Sequence, residues 1–146
     1  MNCFVSVFLY FTGLRDESER VREISAEVIL FIFNHMVNSS PMTLSYVIPA
    51  LKQRLYHQPG EEIVEPCEEV RLILLKIVDR ILQLSGPESS QDMKLHLDDL
   101  ILILSCCIED NFAGKSNFIS FYLISFGKSQ CYLKKYFATS IWINIL

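Results

Sequence analysis

Residues 66–87 read PCEEVRLILLKIVDRILQLSGP and contain the most clearly marked helix of the chain. Glu68 and Glu69 fall in its first turn, where acidic side chains interact favourably with the positive end of the helix dipole. Gly86-Pro87 ends the pattern, because Gly is favoured just after a helix and Pro cannot continue one. The apolar residues recur at helical spacing and predict one buried stripe: Val70, Ile73, Leu74, Ile77, Ile81 and Leu84.

The start of this helix repeats an earlier part of the chain. Val21-Arg22 precedes an apolar stretch just as Val70-Arg71 does, and the two pairs begin 49 positions apart. The spacing is close to the period of ~40–47 residues of HEAT and armadillo helical pairs once residues 56–66 are counted as an insertion. We therefore predict an all-α, HEAT/armadillo-like superhelix, a solenoid, with about two and a half helical pairs.

The first copy of the repeat has its own helix signals. Asp16 is predicted to cap a helix that starts at Glu17, and Glu19 completes a capping-box arrangement with it. The following residues show helical spacing within a stretch that lacks Gly and Pro, so its length favours a helix over a strand. The predicted apolar stripe consists of Val21, Ile24, Val28, Phe31 or Ile32, and His35.

Five structural repeat positions follow from the two copies: Asp16, Val21, Arg22, Val70 and Arg71. Val21 and Val70 are predicted to be the inward residues that open the second helix of each pair. Arg22 and Arg71 are expected to bridge neighbouring repeats, the alternative being that they bind a ligand.

Two further helices complete the predicted array. Ser40 is the expected N-cap of a helix whose first residue is Pro41, and Pro49 should kink that helix because it removes one backbone hydrogen bond. The face predicted to be buried carries Leu44, Val47, Ile48, Leu51 and Leu55. A last helix is predicted over residues 94–109, with its stripe on Leu97, Leu100, Ile101, Leu104 and Ile108.

Composition narrows the class of protein. The chain has 146 residues, 51% of them apolar, and a formal net charge of -4, which argues against nucleic acid as a partner because phosphate binding requires a basic surface. No apolar stretch approaches the ~20 residues that span a bilayer, so no membrane association is expected. The cysteines are odd in number and lack CxxC spacing, which favours core packing in a reducing compartment over disulfides or zinc. They are Cys3, Cys67, Cys106, Cys107 and Cys131.

The sequence offers no pattern of catalytic, cofactor-binding or metal-binding residues. His96, Asp98 and Asp99 could be metal ligands, but acids in a first helical turn are common because of the dipole. His35 and His57 have no Ser, Cys or acid nearby in a nucleophile arrangement. We therefore predict no catalytic, cofactor or metal site and a non-catalytic protein. An enzyme whose site is invisible in the sequence is the remaining alternative.

Several segments resemble a known family in their order and approximate spacing. They are Val47-Ile48-Pro49-Ala50-Leu51, Pro66-Cys67-Glu68-Glu69-Val70-Arg71-Leu72, His96-Leu97-Asp98-Asp99-Leu100 and Asp110-Asn111-Phe112-Ala113. Over residues 8–113 the chain is similar to the N-terminal part of HEAT-repeat dynein axonemal assembly factors. The resemblance implies a cytoplasmic scaffold that helps preassemble the dynein arms of motile cilia by binding dynein chains or chaperones. A HEAT/armadillo module of another pathway, such as nuclear transport or a phosphatase scaffold, is the alternative.

The character of the sequence changes after Ala113. Residues 1–113 contain all 17 acidic residues, whereas residues 114–146 contain four lysines and no acid. We predict helical repeats over 1–113 and a divergent hydrophobic tail over 114–146. A Gly-Lys pair can encode the GT that begins an intron, so Gly114-Lys115 suggests that the tail is translated intron sequence. A genuine lineage-specific helix is the alternative.

Overall fold

The computed structural model describes residues 10–35, 41–58, 60–84 and 95–109. Residues 10–13 are helical, and four longer helices follow. These are α1 (Glu19–His35), α2 (Pro41–Leu55), α3 (Glu68–Leu84) and α4 (Leu97–Glu109). The described residues contain no strand, and the predicted all-α class is confirmed.

The helices pack in two layers. The most extensive contact joins α1 to α3, the next joins α2 to α4, and a smaller one joins α2 to α3. Each helix therefore packs mainly on the helix two positions away in the chain. This pattern is the one expected when antiparallel helix pairs stack, since first helices then line one layer and second helices the other.

The start of α1 differs from the sequence prediction by two residues. The helix begins at Glu19 rather than Glu17, and the carbonyl of Ser18 accepts the hydrogen bond from the Arg22 amide. Asp16 lies before the cap, where its Oδ1 accepts a hydrogen bond from the Ser18 amide at 2.8 Å. The carboxylate thus closes a local turn that delays the helix, a competing role that Asp often takes.

The α1 stripe that the sequence predicts is wrong in its orientation. Val21 is 39% exposed, Ile24 42% and Phe31 62%, so Val21 is not an inward residue. The side that contacts α3 lies on the other side of the helix and carries Arg22, Ser25, Ala26, Ile29 and Phe33. Polar and small residues occupy that side because part of it meets a charged loop, so hydrophobic periodicity did not identify it.

The helices α2 and α3 match their predicted faces closely. Pro41 is the first residue of α2 and Pro49 lies in its interior, whereas Ser40 lies outside the described residues. All five apolar residues predicted for the α2 face are buried. Val70 is 1% exposed and belongs to a buried set on α3 that is wider than the predicted stripe. That set comprises Val70, Arg71, Leu74, Leu75, Ile77, Val78 and Ile81.

The last described helix begins later than predicted. Residues 95 and 96 form a turn, and α4 starts at Leu97 with Asp98 and Asp99 in its first turn. Leu100 and Leu104 are buried as expected, and the side chain of Ile108 lies outside the described residues. Among the helices of the described part, none has the length and apolar character needed to cross a membrane. The predicted tail, residues 114–146, also lies outside the described residues.

Candidate functional site

A buried ion pair connects α1 to the loop that precedes α3. Arg22 donates from Nε to Oε2 of Glu65 at 2.7 Å and from Nη2 to Oε1 at 3.0 Å. The Glu65 side chain is fully buried and that of Arg22 is only 7% exposed. Two parallel charge-assisted hydrogen bonds of this kind are stronger and more directional than a single contact between point charges.

The remaining donors of Arg22 hold the turn before α1. Its Nη1 donates to the carbonyl of Glu17 at 2.8 Å and to that of Asp16 at 3.1 Å. The hydrogen bond to Glu65 raises the pKa of Arg22, while burial acts in the opposite direction. The guanidinium is therefore charged at every physiological pH and ties three points of the chain together.

Two further arginines converge on the same place. Arg71 donates from Nη1 to the Glu65 carbonyl at 3.0 Å. Arg54, from α2, donates from Nε to the Leu14 carbonyl at 2.6 Å, and the same Nε lies 4.0 Å from Glu65 Oε2. The pKa of Arg54 is lowered. Burial is the main cause and the charge of Arg22 adds to it, while the Glu65 carboxylate acts in the opposite direction. We call Arg22, Arg54, Glu65 and Arg71 the Glu65 junction.

The Glu65 junction joins two consecutive repeats and both helical layers. Arg22 and Arg71, which are equivalent in the two copies, meet at one glutamate, and Asp16 takes part through its carbonyl. Val21 and Val70 are not part of it, since one lies at the surface and the other in the core. The carboxylate also accepts the Cys67 amide at 3.2 Å. Its oxygens are thus occupied by structural donors, which suits a positioning role rather than acid-base chemistry.

Sequence reasoning missed Glu65 and Arg54. Glu65 stands in a loop with Glu61 and Glu62, which are both exposed, and nothing in the local pattern separates the three acids. The only available signal was that a loop between two Val-Arg copies must contain an anion if both arginines are buried. That inference requires knowing that Arg22 and Arg71 point inward.

A second set of contacts fixes α4 on α2. Lys52 Nζ lies 2.6 Å from Asp99 Oδ1, and this hydrogen bond raises the pKa of Lys52. Cys106 donates its thiol to the His57 carbonyl at 3.2 Å, and His96 Nε2 lies 3.5 Å from Ser45 Oγ. Asp99 and His96, considered above as metal ligands, therefore contact α2. Within the described residues no three His, Cys, Asp or Glu side chains are grouped as a metal site.

Comparison with known proteins gives one family. The family model described as "Dynein axonemal assembly factor 5-like, TPR repeats" matches residues 5–129. The match therefore continues past Ala113 into the first part of the predicted tail. Its description names TPR rather than HEAT or armadillo repeats; all three are stacked helix pairs that form solenoids. Neither a curated protein nor a solved structure shows significant similarity to the chain.

Proposed function

The chain belongs to the dynein axonemal assembly factor 5-like family of helical-repeat proteins, and on that premise we propose that it is a non-catalytic assembly scaffold. In this proposal it holds dynein chains or chaperones in the cytoplasm while the outer and inner arms of axonemal dynein are preassembled. The observation that carries the proposal is the family match over residues 5–129.

The packing of the helices supports a scaffold. The described helices pack mainly on the helix two positions away. In helical-repeat proteins this stacking builds an extended surface, on which each repeat contacts only its neighbours. Proteins with this architecture bind partners through side chains spread over several repeats rather than through a single cleft. The solvent-facing apolar residues belong to different helices and loops, as such a surface requires. They include Phe31, Tyr46, Val64, Leu95 and Leu102.

The Glu65 junction also supports a scaffold role. Its carboxylate is fully buried and is held by Arg22 and by the Cys67 amide, so it has no free oxygen to offer a substrate. Because Arg22 and Arg71 come from different helices and both bind Glu65, the junction restricts the angle between consecutive helix pairs. A fixed angle matters for a scaffold, because its binding surface is defined by the relative placement of repeats.

The test is a defined binding experiment with two partner classes. The tagged 146-residue chain is expressed in ciliating cells and recovered, and its associated axonemal dynein heavy and intermediate chains are measured against cells expressing the tag alone. We expect intermediate chain, heavy chain or a chaperone bound to dynein to be enriched, and we expect the chain in the cytoplasmic fraction. Enrichment of nuclear-transport or phosphatase subunits without dynein chains would overturn the proposal in favour of the alternative pathway.

A further inference from the structure

One face of α1 carries exposed apolar side chains. Val21, Ile24 and Phe31 are all exposed, and Val28 lies half-buried between them. Their spacing of three to four residues places them in one stripe along the helix. We call these four residues the α1 outer face. A continuous apolar stripe at this degree of exposure is typical of an interaction surface rather than of ordinary solvent-facing helix.

In the next repeat, the residues equivalent to the α1 outer face lie on α3 and are buried or packed against the core. Counted from the two Val-Arg pairs, Val21, Ile24 and Val28 correspond to Val70, Ile73 and Ile77. Val70 and Ile77 are buried, and Ile73 packs against the core.

Arg80 shows which neighbour this side of α3 contacts. It follows Ile73 and Ile77 at helical spacing, and its Nε donates to the Phe33 carbonyl of α1 at 3.3 Å. That side of α3 therefore contacts α1. On the α1 outer face, which is the corresponding surface, helical residues 10–13 come near Val21, and no other helix of the described residues packs along it as α1 packs on α3.

The charges beside the stripe discriminate between occupants. Glu27 lies between Ile24 and Phe31 at helical spacing and is exposed. Glu23 is paired with Arg20 at 2.6 Å, whereas Glu27 forms no ion pair within the described part of the chain. Because Glu27 is at the middle of α1, symmetric pairing of two copies would bring two Glu27 carboxylates together. Like charges at an interface oppose association, so the acidic edge favours a basic partner over a second copy.

We propose that the α1 outer face docks an amphipathic helix of a partner protein that has small residues at its centre and basic residues along one edge. In this arrangement the partner helix lies on the α1 outer face as α1 lies on α3. The side of α1 that faces α3 carries the small residues Ser25 and Ala26, so the partner is expected to have small residues at the same place. The basic edge pairs with Glu27. This proposal does not depend on whether the partner acts in dynein assembly.

The experiment uses the whole 146-residue chain and synthetic helical peptides. The probe is a fluorescent peptide of about 17 residues, the length of α1, that places Ser, Ala, Ile and Phe at the spacing of Ser25, Ala26, Ile29 and Phe33. Its remaining positions are Ala and Gln, with Lys along one edge. A second peptide carries Glu in place of Lys. Binding is measured by fluorescence anisotropy to wild type, to Phe31→Glu and to the matched control Leu95→Glu, which removes an 81% exposed apolar side chain from another surface.

We expect the Lys peptide to bind wild type and Leu95→Glu equally and Phe31→Glu at least about tenfold more weakly, since burial of an aromatic side chain is worth more than a factor of ten. The Glu peptide should bind wild type at least several-fold more weakly than the Lys peptide at low salt. Absence of binding to wild type, or equal binding to Phe31→Glu with unchanged circular dichroism, overturns the proposal.

A photo-crosslinker identifies other occupants. With p-benzoylphenylalanine at position 31, the proposal predicts that the dominant product is the adduct with the Lys peptide. A dominant crosslink to a second copy, or to residues 110–146 of the same chain, would show that one of these covers the α1 outer face and would overturn the proposal.

Discussion

Arg22 and Glu65, 43 residues apart in the chain, form a buried ion pair with two hydrogen bonds of 2.7 and 3.0 Å. One residue belongs to the second helix of the first repeat, and the other belongs to the loop that leads into the second helix of the next. The pair therefore fixes two repeats relative to each other. It lies beside the apolar contact between α1 and α3 and adds a polar link to it.

Removing the Glu65 carboxylate should destabilise the fold strongly. Glu65→Ala leaves the Arg22 guanidinium buried without its counter-ion, which typically costs about 3–5 kcal/mol. Glu62→Ala, in the same loop but exposed, should change the free energy of unfolding by less than about 0.5 kcal/mol. Urea denaturation of both variants measures the difference. Equal midpoints would show that the junction contributes nothing to stability.

The equivalent valines of the two repeats should respond differently to the same substitution. Val70→Asp places a charge in the core and should cost about 3 kcal/mol or more, because Val70 is 1% exposed. Val21→Asp, at a position that is 39% exposed, should cost about 1 kcal/mol or less, as should Glu68→Lys in the exposed first turn of α3. Thermal unfolding of the three variants provides the comparison. Similar losses for the two valine variants would contradict the burial difference.

Gly13 should be difficult to replace. A Cβ at this position would overlap Ser25 Oγ and lie 3.2 Å from Ser25 Cβ. Helical residues 10–13 therefore approach α1 more closely than a side chain at position 13 would allow. Gly13→Ala should cost about 1–3 kcal/mol through overpacking. Adding Ser25→Ala should recover part of that loss, since it removes the nearest atom and leaves the Cβ. A double-mutant cycle in urea measures this coupling; strictly additive effects would argue against the close approach.

Asp79 gives the fold a pH dependence of predictable sign. Burial raises the pKa of this carboxyl, and the neighbouring Arg80 acts in the opposite direction. Because the folded state holds the proton more tightly than the unfolded one, stability falls as pH rises from the ordinary value to the raised value. Asp79→Asn should therefore be more stable than wild type at pH 7, and the difference should disappear below about pH 4. Identical pH profiles of melting temperature would refute this.

The origin of residues 114–146 can be decided from DNA. If Gly114-Lys115 marks the start of an intron, the genomic sequence should contain a splice donor at these codons, and the mature transcript of the same locus should join codon 113 to a different exon. An uninterrupted exon through codons 113 to 115, present in spliced transcripts, would establish the segment as ordinary coding sequence.

The sequence by itself determined the helices and the repeat. Pro41 begins α2 as predicted, Glu68 and Glu69 lie in the first turn of α3, and the α2 face predicted from apolar spacing is buried in full. These features are local: capping, the fixed φ of proline and a periodicity of 3.6 residues act within a few turns. The repeat spacing was also readable, since it requires only that two copies be compared.

Only the tertiary structure decided which side of a helix is covered. Val21 and Val70 have the same local sequence context, yet one is exposed and the other buried. The side of α3 that carries Val70 packs on α1, whereas among the described helices only residues 10–13 come near the side of α1 that carries Val21. The burial of Glu65 is likewise a tertiary outcome. Glu65 lies in an acidic loop, and its burial depends on two arginines from different helices. Arg22 neutralises its carboxylate, and Arg71 binds its backbone carbonyl. Helix formation depends on neighbours in sequence, whereas burial of a face or a charge depends on neighbours in space.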